Sequence, residues 1–407
     1  MTTITALPTE ALLEIFGLLN IESLTDAKMA CKKFQDVIRM IPLRSYTLRI
    51  DEPNHSMWKF TRSLLADPKA GSRITELTVE WCRREPDDPD TWTDKWDWTE
   101  EDLRIMKRLE ETVINKYLDD DVYTAIKGGI NSEALLPLIL CFTENLESLD
   151  LGDVVTELFN YKGWPTDCLK KIFKLNREDS SNNDAHIPEQ QFRTWFHLNT
   201  GYPGKYLPGL SKLKKFNHQL NEDVFISVDK WGWRADYFLP ILFIPGIKEI
   251  TIGGCGTDEQ GGEYASLKKI MGLYKKQFEG VPPSTVKKLV IGASRIYEKD
   301  YRLIANYTCC LEELHISYND NYVELNSRYD MAGAIYVFLN NNPKLTMDKI
   351  SVDGRSNEAW LKAFHDCGYD FPWANGGEDE DRERTYEEFV EEFEAWSQRR
   401  TLRDEHK

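Results

Sequence analysis

Three short apolar patterns follow one another in the first forty-five residues. Pro8 suits a first helical turn, where its missing N–H costs nothing, and Asn20, Ser23 and Pro42 separate or end the patterns. The apolar positions are Leu12, Leu13, Ile15, Phe16 and Leu19 in the first, Leu24, Ala27, Ala30 and Cys31 in the second, and Phe34, Val37, Ile38 and Ile41 in the third. This spacing predicts three helices, the first with a wider apolar stripe than one core face needs. Because so short a segment buries little surface alone, both a helical lead-in and a partner-binding module fit it.

A different pattern, apolar-x-x-apolar-x-apolar, recurs from residue 70 onward. Its copies are Ile74-Leu77-Val79, Leu146-Leu149-Leu151, Ile247-Ile250-Ile252, Val286-Leu289-Ile291 and Leu311-Leu314-Ile316, with a weaker Ile350-Val352 and a shifted Leu210-Leu213-Phe216. The alternation in the last positions predicts short strands with one buried face.

Apolar helical stretches at 135–140, 238–243 and 334–339 lead through Pro, Asn or Gly into such strands. One helix and one short strand cannot bury their apolar faces alone, so these units are expected to stack on one another. The pattern predicts an α/β fold that resembles irregular leucine-rich repeats. Only Leu289 and Leu314 have the usual spacing, 25 residues, so insertions are expected at about 85–130 and 160–206. A generic α/β domain is the alternative.

Two insertions have unusual composition. Residues 85–102 carry Trp92, Trp96 and Trp98 among carboxylates, and residues 176–206 are first polar and then aromatic. Either segment is a recognition loop, since Trp supplies rigid contact area and carboxylates select a basic partner, or it folds back and buries its rings.

The C-terminal thirty residues predict a linker and a helix. Residues 376–381 are Gly- and acid-rich, and Thr385 with Glu388 has the spacing of a capping box. Tyr386, Phe389, Val390, Phe393 and Trp396 then share one helix face. Such a helix either covers the end of the repeat array or docks on another protein.

Composition narrows the classes of partner. The 407 residues are 41% hydrophobic and carry a formal net charge of −17, which disfavours nucleic acid and anionic membranes as partners. The sequence has neither a spanning apolar stretch nor a secretion signal, so a cytoplasmic and/or nuclear protein is expected. The eight cysteines, none in a CxxC, are expected to be reduced core thiols.

The sequence offers no catalytic or metal-binding motif. It contains no GxSxG, no phosphate-binding loop and no HExxH, and a tight turn explains Gly253-Gly254-Cys255-Gly256 better than an anion nest does. We therefore expect no cofactor, no metal and no enzymatic activity.

The opening residues, taken in order, resemble an F-box. The resemblance rests on Leu7-Pro8-Thr9-Glu10, Leu13, the Ile15-Phe16 pair, Leu19, Leu24, Ala27 and Cys31-Lys32-Lys33-Phe34. Asn20 and Ala30 depart mildly from the usual residues, which would weaken the partner contact rather than remove it. An F-box followed by irregular repeats is similar to fungal-type F-box proteins.

This resemblance implies a substrate-receptor subunit of an SCF-type cullin–RING ubiquitin ligase. The F-box (1–45) would bind a Skp-type adaptor and through it the cullin and RING subunits. The repeat region (46–375) would bind an unidentified target protein, and residues 376–407 would form the acidic linker and final helix. The implied adaptor contacts are Leu7, Pro8, Leu13, Ile15, Phe16, Leu19 and Leu24. A non-degradative F-box scaffold and a free-standing repeat interaction protein are the main alternatives, and an undetected hydrolase is the third.

Overall fold

A computed structural model describes residues 4–19, 27–38, 40, 43–50, 56–81, 96–114, 117–118, 120–129, 132–152, 207–218, 233–234, 241–253, 255–256, 283–294, 296, 298–318, 328–352, 357–366 and 385–405. The chain is a mixed helix and strand protein with a helical N-terminal region and parallel strand pairing. It divides into two compact units: Met1–Ser148 with Pro208–Leu210, and Leu149–Leu207 with Ser211–Lys407. The boundaries predicted from the sequence at residues 45 and 375 stay predictions.

The first unit combines helices with one pair of parallel strands. Its α-helices are α1 (Thr9–Gly17), α2 (Lys32–Ile38), α3 (Ser56–Ala66), α4 (Pro68–Gly71), α5 (Glu100–Leu109), α6 (Asp120–Gly128) and α7 (Leu135–Phe142). A π turn, Glu110–Ile114, extends α5, and 3-10 turns occupy Ile4–Ala6, Ser132–Ala134 and Pro208–Leu210. Strand β1 (Leu43–Ile50) pairs in parallel with β2 (Ile74–Trp81), placing Tyr46 beside Leu77 and Leu48 beside Val79.

The core of the first unit forms around α3 and α7. Helix α3 buries Met57, Phe60 and Leu64 along one face, and every residue of α7 is buried. The one hydroxyl on the buried face of α3 is satisfied locally, since Thr61 donates to the Met57 carbonyl at 2.7 Å. Gly71 is required where α4 meets the end of α7, because a Cβ there would collide with the Phe142 carbonyl oxygen.

Residues 96–102, the described part of the segment 85–102 that carries Trp92, Trp96 and Trp98, fold back on the first unit. Trp96 is buried and its backbone N–H donates to the Gly129 carbonyl at 2.9 Å. The Trp98 indole N–H donates to the Ile126 carbonyl at 2.7 Å, and Thr99 begins α5 in a capping box with Asp102. These contacts favour the folded-back interpretation for residues 96–102. Trp92, the rest of 85–95 and residues 176–206 lie outside the described residues.

In the second unit, the residues that the structure describes form the remaining strands and four α-helices. Its strands are β3 (Ser148–Asp150, at the unit boundary), β4 (Lys215–His218), β5 (Trp233–Arg234), β6 (Glu249–Gly253), β7 (Cys255–Gly256), β8 (Lys288–Ser294), β9 (Glu313–Tyr318) and β10 (Ile350–Val352). Its α-helices are α8 (Glu298–Asn306), α9 (Arg328–Asn341), α10 (Asn357–Asp366) and α11 (Tyr386–Glu405), and Met347–Lys349 forms a 3-10 turn. Strands β5 and β7 pair separately from the others.

Strands β4, β6, β8, β9 and β10 are neighbours in chain order, and every pair is parallel. Their register aligns two buried rows, Phe216-Ile250-Leu289-Leu314-Ile350 and His218-Ile252-Ile291-Ile316-Val352. With His218 as the exception, these are apolar positions of the recurring sequence pattern, so the strand predictions for this unit are confirmed. Strand β1 was not predicted, although Tyr46, Leu48 and Ile50 alternate as a strand requires.

A single backbone arrangement recurs at the start of these strands. The Lys214 carbonyl accepts the N–H groups of Lys248 and Glu249 at 2.7 and 2.9 Å. The Lys248 carbonyl does the same for residues 287 and 288, and the Lys287 carbonyl for residues 312 and 313. In each case, one carbonyl before a strand accepts two N–H groups at the start of the neighbouring strand. These hydrogen bonds keep successive strands in one register.

Helix α11 packs on the end of the second unit through its apolar face. Phe389, Phe393 and Trp396 are buried, and the Trp396 ring stacks on Tyr336 of α9 with centroids 6.5 Å apart. The predicted capping box is present, since the Glu388 N–H donates to the Thr385 hydroxyl oxygen and the Thr385 N–H to the Glu388 carboxylate. The linker at 376–381 lies outside the described residues.

The cysteine side chains that the structure describes are those of Cys31, Cys141, Cys309 and Cys310, and none of these four is in a disulfide. Cys141 is buried as expected, and Cys31 and Cys310 are half-buried. Cys309 is exposed, so the expectation of a core thiol is wrong at this position, where the chain turns between α8 and β9. Among the described helices, none combines the length and apolar character needed to cross a bilayer.

Candidate partner-binding surface

The N-terminal helices pack around one small apolar cluster. Leu12 and Phe16, one turn apart on α1, meet Phe34, Val37 and Ile38 of α2. The Phe16 and Phe34 rings make an edge-to-face contact with centroids 5.0 Å apart and planes at 77°. This geometry suits the aromatic quadrupoles and adds to the burial of both rings. Leu7, Leu13, Ala27 and Cys31 pack against the cluster while staying partly exposed.

Helix α1 begins and ends where its sequence requires. Pro8 precedes the first turn with φ −57° and ψ 154°, and its carbonyl accepts the Leu12 N–H at 3.1 Å. Glu10 places a carboxylate in the first turn, where it complements the positive end of the helix dipole. At the other end, the Leu18 and Leu19 N–H groups donate to the carbonyls of Ile15 and Phe16. The chain therefore turns tightly directly after α1.

Lys33 attaches the N-terminal segment to α2. Its ammonium group donates to the carbonyl oxygens of Thr5 and Leu7, each at 2.8 Å. Because Ile4–Ala6 is a single 3-10 turn with little support of its own, these two bonds fix the path of the chain into Pro8. The neighbouring Lys32 is exposed.

A second contact attaches α2 to the rest of the first unit. The Arg73 guanidinium, just before β2, donates to the Ile38 carbonyl at the end of α2, with Nη2 2.6 Å from the oxygen. A cation at a helix C-terminus satisfies an otherwise unpaired carbonyl and complements the helix dipole. This hydrogen bond connects the C-terminal end of α2 with the start of β2 within the first unit.

Large apolar side chains remain exposed on the outside of these helices. The exposed fractions are 38% for Ile15, 89% for Leu18, 37% for Leu19 and 83% for Met29. Ile15, Leu18 and Leu19 are three and four positions apart, so they lie on one side of the end of α1. Apolar groups that are clustered rather than scattered mark interaction surfaces. We call Ile15, Leu18, Leu19 and Met29 the exposed apolar set.

The residues implied as adaptor contacts have different environments. Pro8, Ile15 and Leu19 are exposed, and Leu7 and Leu13 are partly buried against the cluster. Phe16 is only 2% exposed and belongs to the internal core. Leu24 lies outside the described residues.

Two members of the exposed apolar set, Leu18 and Met29, were not singled out from the sequence. Their positions in the sequence could have identified them. Leu18 directly follows the last residue of α1 beside Leu19, and Met29 lies in the helical residues 27–30 with its side chain off the internal face. When an apolar residue lies on the side of a helix that does not face the core, packing inside the protein does not account for it. Such a residue indicates a binding surface.

The polar residues around the set are single charges of both signs. Glu10, Glu14, Lys28 and Lys32 are all exposed. Over the residues that can be described, no group of three or more His, Cys, Asp or Glu side chains is placed to hold a metal ion. An exposed apolar set with charged residues of both signs nearby in the sequence is suited to binding an apolar surface of another polypeptide.

Comparison with known protein families gives one match. Residues 4–46 match the F-box domain, which covers α1, α2 and the described residues around them. No curated protein matches the chain.

Proposed function

Residues 4–46 of this protein are an F-box domain, and from that premise we propose that it is a substrate-receptor subunit of an SCF-type cullin–RING ubiquitin ligase. F-box domains typically bind Skp-type adaptors, and F-box proteins are generally non-catalytic adaptors in such ligases. In this proposal the F-box binds the adaptor and the second unit binds a target protein. The protein would act in the cytoplasm and/or the nucleus.

The observation that carries the proposal is the exposed apolar set, of which Ile15, Leu18 and Leu19 lie at the end of α1 and Met29 lies in residues 27–30. The F-box already has its own core of Leu12, Phe16, Phe34, Val37 and Ile38, so these further side chains are not needed to hold it together. Fully burying an apolar side chain of this size gains about 1.5–3 kcal/mol, so three or four of them supply a substantial part of a stable interface. A groove on the adaptor would supply the covering surface.

The implied contacts then divide into two roles. Ile15 and Leu19, with Leu18 and Met29, are the anchors that enter the groove, and Pro8 lies at its margin. Phe16 acts from inside, because its contact with Phe34 sets the position of α1 on α2. Lys33 also acts indirectly by holding the segment before Pro8.

We propose that the second unit is an irregular, leucine-rich-repeat-like array. Three features support this: chain-ordered parallel strands, two aligned buried rows, and the same turn hydrogen bonds at residues 214, 248 and 287. Between the buried rows, each strand presents a half-exposed position on its other face: Asn217, Thr251, Val290, His315 and Ser351. This open strand face is the proposed target-binding surface.

The mechanism is proximity rather than catalysis by this chain. The target's lysines would be held near a ubiquitin-conjugating enzyme at high effective concentration, while the bond chemistry belongs to the other subunits. A tight, fixed F-box is useful for this task, because a loose attachment would dilute the target's lysines over a larger volume.

The docking assignment is tested by changing Ile15 and Leu19 together to Asp and measuring adaptor affinity by calorimetry with the full chain. The double change removes the burial of the two apolar side chains in the groove. It also adds the cost of desolvating two carboxylates. We expect affinity to fall by about 100-fold or more.

Leu103→Asp is the matched control, since Leu103 is an exposed leucine of similar exposure (41%) on α5, outside the F-box. It should bind the adaptor as the unchanged protein does. Circular dichroism of all three proteins should be the same. Unchanged affinity in the folded Ile15→Asp/Leu19→Asp variant would refute the docking surface.

A further inference from the structure

The adjacent cysteines Cys309 and Cys310 bring two sulfur atoms together on the surface of the second unit. Their Sγ atoms are 3.5 Å apart, and neither is in a disulfide. Cys309 is exposed and Cys310 is half-buried. The remaining cysteines of the sequence occur singly, so this is the one vicinal dithiol in the chain.

The backbone on the N-terminal side of the pair is fixed by a neighbouring segment. The Tyr307 carbonyl accepts the Ser284 N–H at 2.8 Å, and Ser284 and Thr308 form a parallel bridge. The Thr308 hydroxyl donates to the Ala305 carbonyl at 3.1 Å and accepts from the Asn342 amide at 3.1 Å.

The C-terminal side is fixed as well. The Leu311 N–H donates to the Asn342 side-chain oxygen at 2.9 Å, and the N–H groups of residues 312 and 313 donate to the Lys287 carbonyl. The dipeptide therefore stands between two anchored segments. Its sulfur atoms keep their proximity without the chain first having to order itself, which raises their effective concentration for each other.

A cation lies close to the half-buried thiol. The hydrogen bond and charge of Glu312 raise the pKa of Lys287, and the charge of Cys310 raises it further. Lys287 and Glu312 form an ion pair at 2.6 Å, so the ammonium group is held at this turn. The thiolate is the reactive form of cysteine in exchange with a disulfide.

We propose that Cys309 and Cys310 form a reversible thiol-modification site that closes into a vicinal disulfide on reaction with a small-molecule disulfide such as oxidised glutathione. The exposed Cys309 thiolate attacks one sulfur of the oxidant and releases one glutathione thiol. Cys310 then attacks the mixed disulfide at Cys309 and releases the second. The protein loses two protons and two electrons, and the oxidant is reduced to two thiols.

The same geometry makes the closed form labile. A sulfur–sulfur bond is about 2.05 Å long, so the two atoms must approach further while the flanking backbone stays hydrogen-bonded. Strained and exposed disulfides have higher reduction potentials and reopen readily. The site is therefore suited to reversible modification rather than to permanent cross-linking. It does not depend on the F-box assignment.

To test this proposal, the full chain is treated with oxidised glutathione and the remaining thiols are alkylated. The tryptic peptides are then identified by mass spectrometry. Trypsin releases residues 303–328 as one peptide that contains Cys309 and Cys310 and no other cysteine. We expect this peptide to become unalkylated and two hydrogen masses lighter, and to return to the doubly alkylated form after mild reduction. Cys141 should remain alkylatable after unfolding, because burial protects its thiol and raises its pKa.

Two comparisons make the result decisive. Cys309→Ser and Cys310→Ser should each give an open thiol or a mixed glutathione disulfide, never the lighter peptide. A synthetic peptide of residues 303–328 should close at least about tenfold more slowly than the folded protein, because the fold holds the sulfurs together. Doubly alkylated wild-type peptide, stable mixed disulfide at Cys309, or closure no faster than in the synthetic peptide would each overturn the proposal.

Discussion

Adjacent residues on α1 have opposite environments, and this determines what each of them can do. Phe16 contacts Phe34 in the internal cluster, and Ile15 is more than one-third exposed. Successive residues on a helix differ by about 100° in direction, and here Phe16 points into the internal cluster and Ile15 lies outside it. In this account Phe16 stabilises the F-box and Ile15 contacts the adaptor.

Phe16→Ala is expected to loosen the F-box. Removing a buried phenylalanine ring costs about 3–5 kcal/mol in lost burial and in the cavity left behind. Amide exchange in residues 32–38, which carry Phe34, Val37 and Ile38, should accelerate on the order of 100-fold or more. Hydrogen exchange read by mass spectrometry measures this directly on the full chain.

Ile15→Ala is the matched control on the same helix. Because the side chain is partly exposed and outside the cluster, exchange of residues 32–38 should change by less than about fivefold. Similar acceleration in both variants would contradict the division between an internal Phe16 and an external Ile15.

The sequence alone could place α1 but could not orient it. Leu12, Leu13, Ile15, Phe16 and Leu19 form a stripe wide enough to include both faces, and the inward side is selected by Phe34, Val37 and Ile38 on another helix. The hydrogen bonds of Lys33 to two backbone carbonyls have no sequence signal at all, since any surface lysine looks the same in a sequence. Tertiary contacts supply this information.

At the scale of elements, the second unit is organised by repetition. The strand positions followed from the recurring apolar pattern, because period-two alternation depends only on local geometry. The parallel pairing of strands in chain order agrees with the expectation that successive helix–strand segments stack on one another. Strand β1 was missed because its alternating Tyr46, Leu48 and Ile50 come directly after the helical patterns and lack the recurring signature.

Asn342, just after α9, is fully buried and connects α9 with the segment between α8 and β9. Its amide oxygen accepts the Leu311 N–H at 2.9 Å, and its amide nitrogen donates to the Thr308 hydroxyl oxygen and the Phe338 carbonyl. Asn342→Ala would leave the buried Leu311 N–H without its partner, at about 1–3 kcal/mol, and would remove two further side-chain hydrogen bonds. We expect the melting temperature of the second unit to fall by about 5–10 °C in calorimetry.

Asn340→Ala is the control for that change, since Asn340 is an exposed asparagine near the end of the same helix. The melting temperature of the Asn340→Ala variant should stay within about 1 °C of that of the unchanged protein. If Asn342→Ala melted at the same temperature as Asn340→Ala, the connection would not contribute to stability.

At the scale of the whole molecule, the account assigns different tasks to different parts of one chain. The F-box at residues 4–46 leaves apolar side chains for a partner, and the second unit offers a polar, half-exposed strand face. The overall charge of −17 favours a protein target over nucleic acid or an anionic surface, and this stays a prediction. Composition could predict this class, but the identity of a target depends on side chains that converge only in the fold.

The most direct test of the substrate-receptor function is ubiquitin-remnant proteomics on cells that contain either the unchanged protein or its Ile15→Asp/Leu19→Asp variant. Proteins captured by each form are identified in parallel by affinity purification. We expect both forms to capture the same targets through the second unit, and lysine ubiquitination of those targets to fall only with the variant. Equal ubiquitination of the captured proteins in both cells would contradict the account.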